Sequence, residues 1–343
     1  MRRSSLPRAL LVSLLGMCSF HARGQSSLAE GHQHPSAPDT FSSGTVHPAA
    51  QEDPSLNWSD VDRQIWANAK TYVDLPVRET IADVPDLKGL SEAEDQAELA
   101  SLLDKVGKSC AELLRHTPSV ASREDQITTQ RLVTRSQGGA LAREELLPTQ
   151  EKQTFGYLLL SRTTDSGVEL QEYRTDKKGR PLATSASTMG QVSEGFVSDW
   201  LRLFPANQSQ SRFRYLGRQN VDGRKAVVIA FAEDPDRVRF PATFSLDGSN
   251  LKMLFQGIAW VDATDFRILR LRQDLLAPRL DLQLKQMTVK VRFGEVHLAN
   301  AGSTLWLPQE ADVAWEYKNR AGEQKHFYSD FRLYAVHSKI VPQ

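Results

Sequence analysis

The sequence predicts an α+β protein that is mostly antiparallel β: a curved, half-open β-barrel plugged by an N-terminal amphipathic helix, with a helical N-terminal extension. Three observations carry this prediction. Beyond Pro118, short segments rich in Val, Ile, Phe, Tyr and Leu alternate with turn dipeptides. An amphipathic helix precedes all of these segments. One long apolar segment, residues 282–298, changes the phase of its alternation, as a strand in a curved sheet does.

The length of the chain limits the number of domains, and its charge limits the kinds of partner. A chain of 343 residues can hold two domains or one large β domain with extensions, and we favour the second. The 42 basic and 42 acidic residues balance, so no global field attracts nucleic acid or an anionic membrane surface. We therefore predict no nucleic-acid partner.

Residues 1–24 read as a secretory signal peptide. Three arginines within the first eight residues precede an apolar run, residues 9–20, and residues 22–24 place small residues at the −3 and −1 positions. Cleavage before Gln25 would make the mature protein periplasmic or secreted. Cys18 follows Met17, which is too large for a good lipoprotein signal, and lipidation of Cys18 stays an open alternative.

The mature chain would then contain one cysteine, Cys110, and no intramolecular disulfide. Its longest apolar run, residues 226–232, is far shorter than the ~20 residues of a membrane helix. We therefore expect no transmembrane span after signal cleavage.

Residues 25–56 are predicted to be a disordered linker, because they are rich in Ser, Pro, His, Gly and Ala and nearly lack large aliphatic residues. Residues 57–90 form a helical and irregular extension. An apolar stripe from Trp58 to Tyr72 predicts a helix of about four turns with Ser59 as its N-cap, and Pro76 and Pro85 then break regular structure.

Residues 91–343 are assigned to the half-barrel domain. Ser91 and Glu94 have the spacing of a capping box, so a helix is predicted from Ser91 to Arg115. Its apolar stripe places Cys110 in the core rather than at a reactive site. The stripe consists of Leu99, Leu102, Val106, Cys110 and Leu113.

Ten strands follow the helix, interrupted by a helical segment at residues 195–204. The predicted strands are residues 126–134, 154–161, 168–175, 212–218, 225–231, 252–261, 267–275, 282–298, 311–318 and 325–338. The predicted tight turns are Lys178-Gly179, Asp222-Gly223, Asp247-Gly248 and Ala321-Gly322.

The segment 282–298 predicts a bulge at Gly294-Glu295. Apolar residues stand at odd positions before this dipeptide and at even positions after it, and one extra residue returns them to the same side. The residues concerned are Met287, Val289, Val291, Phe293, Val296 and Leu298.

The hairpin of residues 255–276 is predicted to separate apolar side chains from arginines. If Val261 pairs with Phe266, one face is apolar and points inward, with Arg267 at its rim, while Arg270 and Arg272 point to solvent. The inward face then carries Leu254, Ile258, Trp260, Leu269 and Leu271.

These features resemble the periplasmic lipoprotein-carrier fold, LolA/LolB-like, through the signal peptide, the helix at 91–115 and the hairpin around "GIAWVD". The resemblance implies an acyl-binding interior closed by the helix. The chain also resembles a family of uncharacterised secreted proteins typical of Acidobacteria. The segments "DVPDLKGLSEAEDQAEL" (83–99), "QGIAWVD" (256–262) and "YSDFRLYAV" (328–336) carry that second resemblance. It implies a compartment and a fold but no activity.

The sequence has none of the common linear catalytic or metal-binding motifs, such as G-x-S-x-G, a P-loop, H-E-x-x-H or C-x-x-C. His297, His326 and His337 lie on predicted strands, where we interpret them as ordinary surface or edge histidines. We therefore predict no catalytic residues, no metal site and no cofactor.

Three functions remain. The first is a non-enzymatic binding protein that holds a lipid, lipopeptide or other apolar ligand on the concave face. The second is an envelope protein-interaction or sensing module with a filled core, which uses Arg270 and Arg272 as its partner surface. The third is an enzyme whose site is assembled from distant strands. The ligand-binding candidates are Leu254, Ile258, Trp260, Arg267, Leu269, Leu271, Met287, Val289, Val291 and Phe293.

Overall fold

The computed structural model describes residues 12–15, 45–46, 58–132, 145–164, 167–176, 179–180, 182, 196–239, 241–246 and 249–334. The described helices are α1 (Asp60–Ala67), α2 (Val77–Asp83) and α3 (Leu99–His116), with short 3₁₀ helices at Pro85–Leu87, Ser198–Leu203, Gln208–Gln210 and Leu280–Leu282. The strands are β1 (Val12–Leu15), β2 (Thr45–Val46), β3 (Ser91–Glu92), β4 (Val120–Leu132), β5 (Glu145–Thr164), β6 (Gly167–Thr175), β7 (Ser211–Val221), β8 (Arg224–Glu233), β9 (Ala242–Leu246), β10 (Ser249–Met253), β11 (Phe255–Asp262), β12 (Ile268–Leu275), β13 (Leu284–His297), β14 (Thr304–Tyr317) and β15 (Arg320–Leu333).

Twelve strands form one antiparallel sheet in the order β2-β6-β5-β4-β15-β14-β13-β12-β11-β8-β7-β3. The mostly antiparallel fold predicted from sequence is confirmed. Strands β1, β9 and β10 form a second, three-stranded sheet. The predicted cleavage before Gln25 would remove β1 and leave β9 and β10 as a hairpin.

The N-terminal extension packs on one face of the large sheet, which we call the outer face. Ser59 caps α1 as predicted, and its side chain and that of Asp62 form a capping box. The helix ends at Ala67, before the predicted boundary. The Tyr72 N–H instead donates to Gln256 of β11 at 2.8 Å. The outer-face core contains Tyr72, Val77, Val84, Leu87, Leu216, Val228, Ile258, Trp260 and Leu269.

The predicted capping box at Ser91 and Glu94 is wrong. Helix α3 begins at Leu99, and Ser91 lies instead in the edge strand β3, where it pairs with Arg218 of β7. Gly217 allows this pairing because its φ of 138° is open to glycine, and a Cβ there would lie 2.0 Å from the Ser91 carbonyl oxygen. Tertiary strand pairing therefore overrides the local helix-start pattern.

Two turn predictions have opposite outcomes. Asp222 and Gly223 both have positive φ and connect β7 to β8, as expected of a tight hairpin. Ala321-Gly322 is not a turn, because both residues lie in β15 and Lys318, with a φ of 52°, makes the turn instead. Gly322 lies under the Trp315 ring. A side chain at position 322 would place its Cβ 2.2 Å from a ring atom, so only glycine fits there. Residues 178 and 247–248 lie outside the described residues.

The predicted register of the β11–β12 hairpin is wrong. Trp260 pairs with Arg270 and Val261 with Ile268, so Leu269 is an extra residue in a bulge. A slip of this kind sends side chains to the opposite face of the sheet. Trp260 and Ile258 lie in the outer-face core, under the N-terminal extension, rather than on the inward face, and the bulge places Leu269 there with them.

The phase change in β13 is confirmed. Met287, Phe293 and Val296 all lie in one core, although they occupy odd and even positions. The register shift falls between Arg292 and Phe293, and the extra residue, Gln309, lies on the paired strand β14. The pattern in the sequence therefore located the irregularity to within two residues but not the strand that contains the insertion.

Candidate functional site

The inner face of the sheet, opposite the extension, carries the largest core of the described residues. Helix α3 packs its apolar stripe into this core. Burial raises the pKa of the Cys110 thiol to about 12, which leaves it an unreactive core residue. The residues that α3 and β11–β13 contribute include Leu102, Val106, Cys110, Leu114, Ala259, Val261, Leu271, Met287, Val289, Val291 and Phe293.

A second element covers the inner face. We call residues 196–204 the cover segment; its centre is the 3₁₀ helix Ser198–Leu203, where a helical interruption was predicted. Its apolar side chains pack into the core, and the Cys110 Sγ lies 3.9 Å from the carbonyl oxygen of Trp200. The buried cover residues are Phe196, Val197, Trp200, Leu201 and Leu203.

The cover segment contacts strands that lie far apart in the sheet. The Phe196 ring packs edge-on against His326 of β15 at a centroid distance of 5.1 Å. Arg202, six residues later, pairs with Glu233 of β8, five strand positions from β15. The cover segment therefore bridges two strands that are five positions apart in the sheet.

A small apolar cavity of about 10 Å³ lies between the cover segment and strands β4, β5, β14 and β15. Its volume corresponds to about one water-sized probe. Around this cavity, the described side chains of the cover and the strands therefore leave room for little more than one water molecule. The lining residues are Val120, Tyr157, Leu159, Val197, Leu307, Pro308, Tyr328 and Phe331.

A buried polar cluster adjoins this cavity. Alternate residues of β4 point inward, and among them Glu124 is fully buried. Arg174 of β6 donates two hydrogen bonds to Glu124, Nε to Oε2 at 2.5 Å and Nη2 to Oε1 at 2.6 Å. His326 Nδ1 lies 2.8 Å from Glu124 Oε1, and the Tyr328 hydroxyl donates to the same oxygen at 3.2 Å. The strand pleat thus brings four polar side chains from three strands together without solvent.

The protonation states follow from this environment. Burial alone would raise the pKa of Glu124, but the Arg174 charge and the hydrogen bond from His326 outweigh it and lower the pKa to about 2. Burial lowers the pKa of His326 despite its bond to Glu124, so the imidazole is neutral at pH 7. An ionised carboxylate only accepts hydrogen bonds, so Nδ1 carries the proton and Nε2 is an acceptor.

Three atoms of this cluster have no hydrogen-bond partner within the described part of the chain: Arg174 Nη1, His326 Nε2 and the Tyr157 hydroxyl oxygen. Each unsatisfied buried polar group costs about 1–3 kcal/mol. Tyr157 is close enough to the charges of Glu172 and Glu124 that, after burial itself, they raise its pKa further. The Glu124 carboxylate is therefore fully paired, whereas one atom each of Arg174, His326 and Tyr157 is unpaired.

A second buried charged group lies at the other end of the cover segment. Arg202 pairs with Glu233 and donates to Gln273 at 2.7 Å. Burial raises the pKa of Asp199, also in the cover segment, to about 6, against the opposing charge of Arg202. One Asp199 carboxylate oxygen, Oδ2, has no partner among the described residues.

A pocket of about 580 Å³ lies on the outer face, between the extension and β11–β13. Its centre is Asp274, which accepts hydrogen bonds from Arg272, Thr288 and Tyr72 at 2.5–3.0 Å. The polar groups at its base are therefore already paired. The remaining lining includes Lys70, Glu79, Asp83 and Lys285.

The structure does not bring the predicted ligand-binding residues together on one face. Their apolar side chains lie in three separate cores. Leu271, Met287, Val289, Val291 and Phe293 lie in the inner-face core. Ile258, Trp260 and Leu269 lie in the outer-face core, and Leu254 lies in a third core with Trp58 and Trp66. Arg267 lies over the Trp306 ring at 5.4 Å instead of beside Trp260.

The predicted partner surface is also corrected. Arg272 is buried in ion pairs with Asp274 and Asp86, because the register places its side chain under the extension. Arg270 is partly exposed and pairs with Asp222 at 2.5 Å. The two arginines therefore do not form one exposed patch.

Sequence reasoning missed the polar cluster. His326 was interpreted as a surface or edge histidine, and it is fully buried. His297 is exposed, and residue 337 lies outside the described residues. The available signal was the run Ser122, Glu124 and Gln126, which places polar side chains at the alternate positions of β4 that face inward.

Comparison with known proteins gives matches among solved structures. The chain is similar to a DUF1329 family protein from Desulfovibrio piger, with 12% identity, a TM-score of 0.39, and coverage of 70% of this chain and 95% of that one. It is also similar to a LolA superfamily protein from Nitrosomonas europaea, with 14% identity, a TM-score of 0.32, and coverage of 70% and 97%. The LolA superfamily is the class that the sequence resembles. Because these TM-scores are below 0.5, we base no functional argument on them.

No family model and no curated protein matches the chain. Among the described residues, no group of three or more His, Cys, Asp or Glu side chains could hold a metal ion. No described helix has both the length and the apolar character needed to cross a membrane.

Proposed function

We propose that the protein is a non-enzymatic binding protein of the periplasm or the secreted fraction, which takes an apolar ligand onto the inner face of its sheet when the cover segment moves away. The observation that supports this most is that a short, separate segment, residues 196–204, fills the inner face with its own apolar side chains. Such a segment can be exchanged for a ligand of similar character.

The size of the cavity requires this movement. The cavity has about 10 Å³, whereas an engineered cavity that binds benzene has about 150 Å³. An acyl chain gains roughly 0.8 kcal/mol for each buried methylene, so about fourteen carbons supply on the order of 10 kcal/mol before costs. The 3₁₀ helix of the cover has poorer hydrogen-bond geometry than an α-helix, which lowers the cost of its displacement.

A pair of leucine truncations tests the movement of the cover. Leu203 in the cover and Leu216 in the outer-face core are both fully buried. Leu203→Ala removes packing that is lost when the cover opens, so we expect it to tighten the binding of a fluorescent fatty-acid probe about tenfold or more. Leu216→Ala makes the same chemical change on the other face, and we expect it to leave probe affinity unchanged.

Titration of the purified wild type and both variants with the probe measures these affinities, and urea denaturation confirms that the two truncations cost similar stability. Equal changes in affinity for both variants would show that the cover is not the gate. A folded wild-type protein that neither takes up the probe nor contains extractable lipid would refute the function itself.

The second candidate is an envelope protein-interaction or sensing module with a filled core. The small volume of the inner-face cavity favours it. Of the two arginines first considered, only Arg270 is accessible enough to contact a partner. Arg270→Glu should abolish capture of a partner from envelope extract. Unchanged capture by this variant would contradict this candidate.

A further inference from the structure

The three unpartnered atoms of the polar cluster call for an explanation, because more than nine-tenths of buried polar groups in proteins are hydrogen-bonded. Arg174 Nη1 is a donor, His326 Nε2 is an acceptor, and the Tyr157 hydroxyl can be either. All three belong to side chains at most 4% exposed. The cluster therefore offers both a donor and an acceptor in a buried environment.

The cover segment lies over this cluster. Phe196 packs against the His326 ring at 5.1 Å. Val197 lines the small apolar cavity together with Tyr157 and Tyr328, whose rings are 5.1 Å apart. Displacement of the cover would thus uncover apolar surface together with the side chains of His326 and Tyr157, which carry two of the three unpaired polar atoms. A ligand that replaces it needs an apolar body and a polar end.

The charges of the cluster decide which polar end fits. The Arg174 charge is already matched by Glu124 in a doubly hydrogen-bonded pair. An anionic head would lie near the Glu124 charge, and Arg174, the cation of this cluster, is already paired with that charge, so burying the charge of the head would be costly. An uncharged head that both donates and accepts hydrogen bonds meets no such cost.

We propose that Tyr157, Arg174 and His326 bind the uncharged, hydroxyl- or amide-bearing head of an amphiphile whose acyl chain replaces the cover segment. This inference rests on the proposed function. It specifies the ligand class as acylglycerols or acyl amides, in place of free fatty acids.

Three amphiphiles with the same oleoyl chain test the choice of head. At pH 8, we expect 1-monooleoylglycerol to displace the fluorescent probe from the wild-type protein with about tenfold higher affinity than either oleate or methyl oleate. Oleate brings a charge, and methyl oleate has no donor for His326 Nε2. A difference of one buried hydrogen bond corresponds to a factor of this size.

A conservative variant tests the residues. Tyr157→Phe removes only the unpartnered hydroxyl, and we expect it to weaken monooleoylglycerol about tenfold while leaving methyl oleate unchanged. Tyr72→Phe is the matched control, because it removes a buried hydroxyl bonded to Asp274 on the outer face, and it should leave the ranking unchanged.

Binding of all three amphiphiles without preference, or tightest binding of oleate, would overturn the inference and leave the proposed function standing. Equal effects of the two tyrosine variants would also overturn it. If none of the amphiphiles binds, the proposed function fails and this inference fails with it. The wild-type ranking decides the matter even if Tyr157→Phe does not fold.

Discussion

Replacing Arg174 by methionine is expected to lower the free energy of unfolding by about 3–5 kcal/mol, the usual cost of removing one partner of a buried ion pair. Arg174 and Glu124 are at most 2% exposed, so the Glu124 charge would be left in the core with only His326 and Tyr328 as donors. Equilibrium urea denaturation at pH 7 measures the loss.

Two further variants test whether the loss of stability comes from leaving a buried charge unpaired. Arg218→Met removes an exposed pair with Glu98 at 2.9 Å, in which both side chains are more than half exposed, and should cost less than about 1 kcal/mol. The double variant Glu124→Gln with Arg174→Met removes both charges and should recover most of the loss. Similar losses for the Arg174 and Arg218 variants would contradict the buried-charge account.

The sequence predicted the parts of the fold that depend on local pattern. Alternation located most strands, and the change of phase near Gly294 correctly brought Phe293 and Val296 into one core. Alternation fails where a bulge shifts the register. Leu269 looks like any other aliphatic residue of β12, yet its insertion places it in the outer-face core while Leu271, two positions later, lies in the inner-face core.

The polar cluster could not be predicted because its members come from distant parts of the chain. Glu124 and His326 are separated by 202 positions. Each stands in a strand whose alternation also fits a solvated edge. The pairing of β15 with β4 and the packing of the cover segment above them make these side chains buried, and the local sequence specifies neither contact.

Stability and the proposed binding compete at the inner face. The cover segment fills apolar space, but it leaves polar atoms of Tyr157 and His326 unpaired and carries a buried carboxyl, Asp199, of its own. These unpaired buried groups destabilise the closed state, so a ligand that pairs with them opens the cover more readily than it would open a core without unpaired groups. A substitution that removes one unpaired group should therefore change both the free energy of unfolding and the uptake of ligand.

Asp199→Asn is expected to stabilise the protein by about 3 kcal/mol at pH 7.5. Burial raises the pKa of this carboxyl from 3.8 to about 6, so below pH 3.8 the group is protonated in both the folded and unfolded states and costs nothing. Between pH 3.8 and 6 the unfolded state ionises while the folded state keeps its proton, so stability is lost at 1.36 kcal/mol for each pKa unit, and the loss is complete once the pH has risen through the folded pKa. Asparagine stays neutral, so its advantage should be full above pH 6 and vanish near pH 4.

Urea denaturation of wild type and variant from pH 4 to pH 8 measures this gain. Asp104→Asn is the control, because Asp104 is 57% exposed beside Lys108 and the substitution should change stability by less than about 1 kcal/mol at any of these pH values.

Because Asp199 lies in the cover segment, Asp199→Asn should also hold the cover closed and weaken uptake of the fatty-acid probe tenfold or more at pH 7.5. A stabilised variant with unchanged uptake would mean that the cover segment does not move when ligand binds.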